Sequence, residues 1–104
     1  MQKIIDETIE LAKTHLLGFG FDEEQVTPLL VQAERDLRKE LEKAEAVFSE
    51  TPVDPEAVNK VLHALKGLLF TLGHEELGKK IEALREEDAE SRDVSMIKAL
   101  LFGE

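Results

Sequence analysis

Apolar residues recur every three to four positions along nearly the whole chain, the spacing of helices that each bury one face. The first such segment, about Gln2 to Leu17, sets Ile5, Ile9, Ala12 and Leu16 on one side. Gly18-Phe19-Gly20-Phe21 then interrupts it. Two glycines in three residues give the backbone the freedom of a turn, and Phe19 and Phe21 are expected to fold back onto the helices as a hydrophobic plug. Asp22 and Gln25 have the spacing of a capping box, so a helix should begin there. Thr27-Pro28 offers a second start one turn later, which leaves the boundary, or a kink, open. Beyond it Leu30, Ala33, Leu37, Leu41, Ala44 and Phe48 form one long stripe, with Glu, Lys and Arg on the other faces.

The longest break runs from Ser49 to Asp54 and closes with Asp54-Pro55, an N-cap residue followed by proline at the first helical position. In the helix this starts, Val58, Val61, Leu62, Leu65, Leu68, Leu69 and Leu72 fall on a stripe centred near Leu65, and Gly73 suits the left-handed residue just past its end. Glu75 to about Glu87 sets Leu77, Ile81 and Leu84 on one face, and Ser91 can cap a last helix bearing Val94, Ile97, Leu100 and Leu101. The expected fold is all-α: one domain over residues 1–104. Residues 22–104 should form an antiparallel four-helix bundle, and the amino-terminal helix and turn of residues 1–20 should lie across or beside it.

Composition narrows the function. A chain of 104 residues suits a single core. With 35% charged residues and a net charge of −10 it reads as an acidic soluble protein, and the lack of a concentrated basic surface argues against nucleic acid. The absence of cysteine excludes disulfides, thiolate metal sites and a cysteine nucleophile. No signal peptide or membrane-length apolar run is visible, so the expectation is a cytoplasmic protein that does not engage a membrane.

The chemistry gathers on the helix that follows Pro55. At about 100° per residue, His63 lies roughly 160° from the stripe centre and should face solvent. Asn59, Lys60, Lys66, Gly67 and Phe70 share its half of the helix. Glycine at an exposed mid-helix position costs about 1 kcal/mol relative to alanine, so Gly67 needs another reason. Two are open: room for a phosphoryl group or a partner to approach, or close packing of a neighbouring element. His15, near the end of the first helix, suits the ordinary role of a cation there or of a hydrogen bond to a terminal carbonyl, and His74, after Gly73, reads as a solvated loop residue. No Glu-x-x-His pair is present, so neither a metal site nor a bound cofactor is expected.

The run His63-Ala64-Leu65-Lys66-Gly67, with Leu72-Gly73 ending ten residues after the histidine, resembles the histidine phosphotransfer domain of multistep phosphorelays and the related phospho-accepting domain of chemotaxis histidine kinases. The motif covers eleven residues, and the family's four-helix bundle could cover residues 22 to 104. The resemblance implies that His63 accepts the phosphoryl group, Lys66 is the cation beside it and Gly67 gives clearance. It also implies a response-regulator receiver domain as partner, bringing the aspartate and its Mg²⁺, with a hybrid histidine kinase as a further candidate. Leu68, Leu69 and Phe70 depart from the small residues usual at these positions. The core stripe can absorb the two leucines. Phe70 projects near the His63 direction, where it would anchor a partner, hinder it or lie under the amino-terminal segment.

A neutral imidazole nitrogen is itself a nucleophile, and an exposed histidine is largely neutral at cellular pH, so no triad is needed. Lys60, one turn before His63, is a second flanking cation by spacing alone; each cation is worth about 1 kcal/mol to a phosphohistidine at wet-surface dielectric. The chain has no phosphate-binding glycine loop or kinase signature, so it is expected to carry phosphate rather than use ATP. Two rival readings are a phosphorylation-incompetent helical adaptor that holds a receiver or another helix through the His63 and Phe70 surface, and a structural bundle in which the motif is accidental.

Overall fold

Capping chemistry sets most of the helix boundaries. The computed structural model describes residues 2–86 and 94–102, without the side chains of residues 85, 86 and 94–96. Among the described residues there are five helices and no strand: α1 (Gln2–Gly18), α2 (Glu23–Phe48), α3 (Pro55–Thr71), α4 (Glu75–Glu86) and α5 (Val94–Phe102). The boundary left open between Asp22 and Pro28 resolves at Asp22. Its carboxylate accepts from the Gln25 amide at 2.8 Å while its own amide donates to Gln25 Oε1 at 3.0 Å. This reciprocal box satisfies two orphan donors, so α2 starts there and Pro28 is carried inside it. Helix α3 starts as expected, with Pro55 in its first turn and the Asp54 carboxylate accepting from the Glu56 amide at 3.0 Å. The expected Ser91 cap lies outside the described residues.

The end of α3 is a Schellman motif. Gly73 has φ +89°, its amide donates to Phe70 O at 3.1 Å, and the His74 amide donates to Leu69 O at 2.8 Å. Only Leu72 to His74 separate α3 from α4, which makes the two a helical hairpin. An alanine at residue 73 would be strained by its backbone angle, and its Cβ would sit 3.1 Å from the His15 Cβ and Cγ. Gly73→Ala is therefore expected to lower stability by about 1–2 kcal/mol in thermal or urea unfolding.

Helix α2 packs against α1, α3 and α5, and α3 packs against α4, in a molecule of 46 × 22 × 21 Å. Ile5, Leu37, Leu41, Leu62, Leu65, Leu69, Ile81, Ile97 and Leu101 are fully buried in a shared core, and Phe48 meets Phe102 edge-on at 6.4 Å. Each such side chain contributes about 1.5–3 kcal/mol by leaving water. Helix α1 belongs to this core through Ile4 and Ile5, and it also buries Thr8 and Ala12 while Ile9 and Leu16 are only half-buried. Its inward face is thus turned from the expected one. The plug expected of Phe19 and Phe21 is corrected: they are 70% and 41% exposed, and Phe19 meets only the edge of the His15 ring on α1 rather than entering the core.

Candidate functional site

Helix α3 presents opposite chemistry on its two faces. Leu62, Leu65 and Leu69 are sealed in the core, and His63, midway along the helix, is exposed as its position on the helix predicts. One turn on, Gly67 is exposed too, and a Cβ built there meets no atom within 4 Å. Among the described residues no neighbouring element presses on Gly67, so close packing does not explain the glycine.

His63, Gly67 and Thr71 follow one another at four-residue intervals along a single line, about 12 Å from first to last. The line leads to a groove. Thr71, whose hydroxyl donates to Gly67 O at 2.9 Å, forms with Leu68 and Leu72 one wall of an apolar groove of about 270 Å³. Ala12 and Leu16 of α1 and Leu29 and Ala33 of α2 form the others. His15 also lines the groove, and its ring meets that of Phe19 edge-on at 4.8 Å. Among the described residues, the large hydrophobic side chains left exposed lie on α1, α2 and their turn, including Phe19 and the 46% exposed Leu29. Sequence periodicity missed this groove because three helices build it, each contributing residues from the edge of its own stripe.

The charge pattern sets α3 apart as well. The chain has 23 acidic residues, yet none occurs from Ala57 to His74. Lys60 is exposed and Lys66 half-buried, and among the described residues neither takes part in an ion pair. Lys13, Arg38, Lys43 and Lys80, in contrast, each lie within 4.0 Å of a carboxylate. Within α3 itself, no carboxylate lies between Lys60 and Lys66 or follows them to the helix end. Asn59 is half-buried, and its amide oxygen is enclosed without a hydrogen-bond partner, so that acceptor is withdrawn from the surface.

Two residues sit differently from their sequence-based placement. Phe70 is half-buried rather than projecting beside His63: its ring covers Gly78 of α4, where an added Cβ would lie 3.1 Å from Cε1. A bare backbone at residue 78 makes the socket, which no pattern within α3 can reveal. His74 is not a solvated loop residue. It is only 8% exposed, with Nδ1 2.8 Å from the Thr8 hydroxyl, and burial holds its pKa below the ordinary histidine value. The contact links α1 to the α3–α4 turn. His15 sits in the last turn of α1, as its position predicts, and lies over Gly73; among the described residues its side chain makes no hydrogen bond to a helix-end carbonyl.

Among the described residues, no group of three or more His, Asp or Glu side chains is placed to hold a metal ion, and no helix is long and apolar enough to cross a membrane. Compared with protein-family models, curated proteins and solved structures, the chain matches none.

Proposed function

We propose that this chain is a histidine phosphotransfer protein that carries a phosphoryl group on His63 between receiver-domain aspartates of a two-component phosphorelay. The observation that carries this reading is an exposed histidine midway along a helix, with a glycine one turn on that no packing among the described residues accounts for. In this reading α2 to α5 form the antiparallel four-helix bundle of that family, and α1 packs beside it through Ile4 and Ile5.

The transfer asks little of the chain beyond positioning and charge. An imidazole nitrogen of His63 attacks the phosphorus of a receiver phosphoaspartate. The N–P bond forms as the P–O bond to the aspartate breaks, and the carboxylate departs with the electron pair. Delivery to a second aspartate reverses these steps. Lys66, with Lys60 on the other flank, offsets the phosphoryl charge, and α3 carries no carboxylate of its own from Ala57 onward to oppose it. Mg²⁺ belongs to the receiver.

The groove between α1, α2 and α3 suits the docking of that receiver. It lies on the Gly67 side of His63, it is continuous with the exposed apolar residues at the α1–α2 end, and the cationic face beside it complements an acidic phosphorylation pocket. With Phe70 turned onto α4, the anchoring role passes to this groove. Lengthening the side chain at residue 67 separates docking from folding: Gly67→Gln should leave stability unchanged or raise it by up to about 1 kcal/mol. The same substitution should slow transfer to His63 sharply, and unchanged transfer kinetics would remove Gly67 from the site. The whole reading is tested by incubating the protein with a panel of phosphorylated receiver domains and scoring acid-labile, base-stable label. Label should appear with at least one receiver, and no label with any of them counts against the proposal.

A further inference from the structure

Helix α1 is pinned to the α3–α4 turn at two points. Thr8, fully buried, places its hydroxyl 2.8 Å from His74 Nδ1, and two turns further along α1 the His15 side chain lies against Gly73. Ala12, His15 and Leu16, which follow Thr8 on the same helix, line the apolar groove. Whatever holds Thr8 to His74 therefore holds that wall in place. His74 also lines two adjoining clefts of about 500 and 310 Å³, so a proton can reach the ring from solvent without global unfolding.

We propose that the Thr8–His74 contact is an acid-sensitive latch: protonation of His74 loosens α1 from the α3–α4 turn and thereby weakens the docking groove. The latch is a property of the folded chain, and its effect on docking rests on the phosphotransfer reading.

A neutral imidazole serves the Thr8 hydroxyl in either tautomer; the charged ring can still donate to the hydroxyl oxygen, but it must carry its charge on a side chain only 8% exposed. The charged groups of the surrounding clefts are Lys3, Glu7, Glu10 and Lys13 from α1 and Glu76 and Lys80 from α4, and the titratable His15 of α1 lies against the neighbouring Gly73; among its described residues α5 presents Ala99 and Leu100. Burial disfavours the charged ring, Glu7 and Glu76 favour it, Lys80 opposes it, and burial outweighs the rest. A proton is thus bound more tightly when α1 lifts away and the ring reaches water. The released state titrates near the ordinary histidine value of about 6.5. Above that pH the latch is at full strength. As pH falls through it the released state gains protons first, and closure weakens until the buried ring titrates at its lower pKa.

The test is amide hydrogen exchange of the free protein at about pH 7.5 and 5.5, a span that brackets histidine titration, expressed as protection factors. In the wild type, α1 protection should drop several-fold at the lower pH, with the cores of α2 and α3 unchanged. In His74→Gln, which stays neutral and retains hydrogen-bonding capacity, the pH dependence of α1 should vanish. In Thr8→Val, which keeps the side-chain shape and removes the hydroxyl, α1 should already be less protected at the higher pH. Equal α1 protection in the wild type at both pH values, or an undiminished acid loss in His74→Gln, overturns the latch. A parallel arm compares receiver-to-His63 transfer at the two pH values in wild type and His74→Gln. The wild type should lose more of its rate on acidification, and equal losses overturn the coupling to the groove. If no receiver labels His63 while α1 responds as expected, the phosphotransfer reading fails and the latch stands.

Discussion

His63→Gln is expected to abolish phosphoryl uptake while leaving the fold intact. Glutamine keeps a polar side chain of comparable reach but has no nitrogen lone pair able to displace an aspartate from phosphorus. The position is exposed, and surface substitutions of this kind fall within about ±0.5 kcal/mol. The helical circular dichroism signal and the melting temperature should therefore match those of the wild type while label incorporation falls to background. Persistent label would move the acceptor to another residue. A loss of stability well beyond that range would mean that the His63 ring supports the core.

Two residues further along, the opposite outcome is expected. Leu65 is fully buried at the centre of the inward face of α3, between the equally buried Leu62 and Leu69. Leu65→Ala removes three carbons from a packed site and leaves a cavity, which costs about 2–5 kcal/mol. That is a large part of the roughly 5–15 kcal/mol that holds a domain of this kind together, and at about 4–8 °C per kcal/mol the melting temperature should fall by 10 °C or more. Label uptake, measured well below the new melting temperature, should persist. Together the two substitutions test the orientation of α3: chemistry lost without stability at residue 63, stability lost without chemistry at residue 65. A Leu65→Ala protein as stable as the wild type would show that α3 does not bury this face.

The features legible in the sequence were those that a single helix decides for itself. Asp22, Gln25, Asp54, Pro55 and Gly73 act on backbone groups within a few residues, so the sequence alone offers Asp22 as one of two starts for α2 and places both ends of α3. The 3.6-residue period likewise placed Leu65 inward and His63 outward. What escaped depends on a neighbour. Phe70 reads as exposed until a glycine on α4 receives it, and His74 reads as a loop residue until Thr8 of α1, far away in sequence, closes over it. Phe19 reads as core material on hydrophobicity alone, yet it stays 70% exposed against the edge of the His15 ring. The site shows the same division: His63, Gly67 and the flanking lysines stood out in one helix, while the groove exists only where α1, α2 and α3 meet.

The meeting of Phe70 with Gly78 ties the two residues into one unit of sequence change. Neither the aromatic ring nor the bare backbone is explained by its own helix, since a smaller residue at 70 would leave a void over the glycine and any side chain at 78 would be driven into the ring. Substitutions at the two positions should therefore be tolerated as a pair, a smaller side chain at 70 accompanying a larger one at 78. Among divergent versions of this chain, that reciprocity would trace the α3–α4 seam even where the run from His63 to Gly73 had otherwise changed.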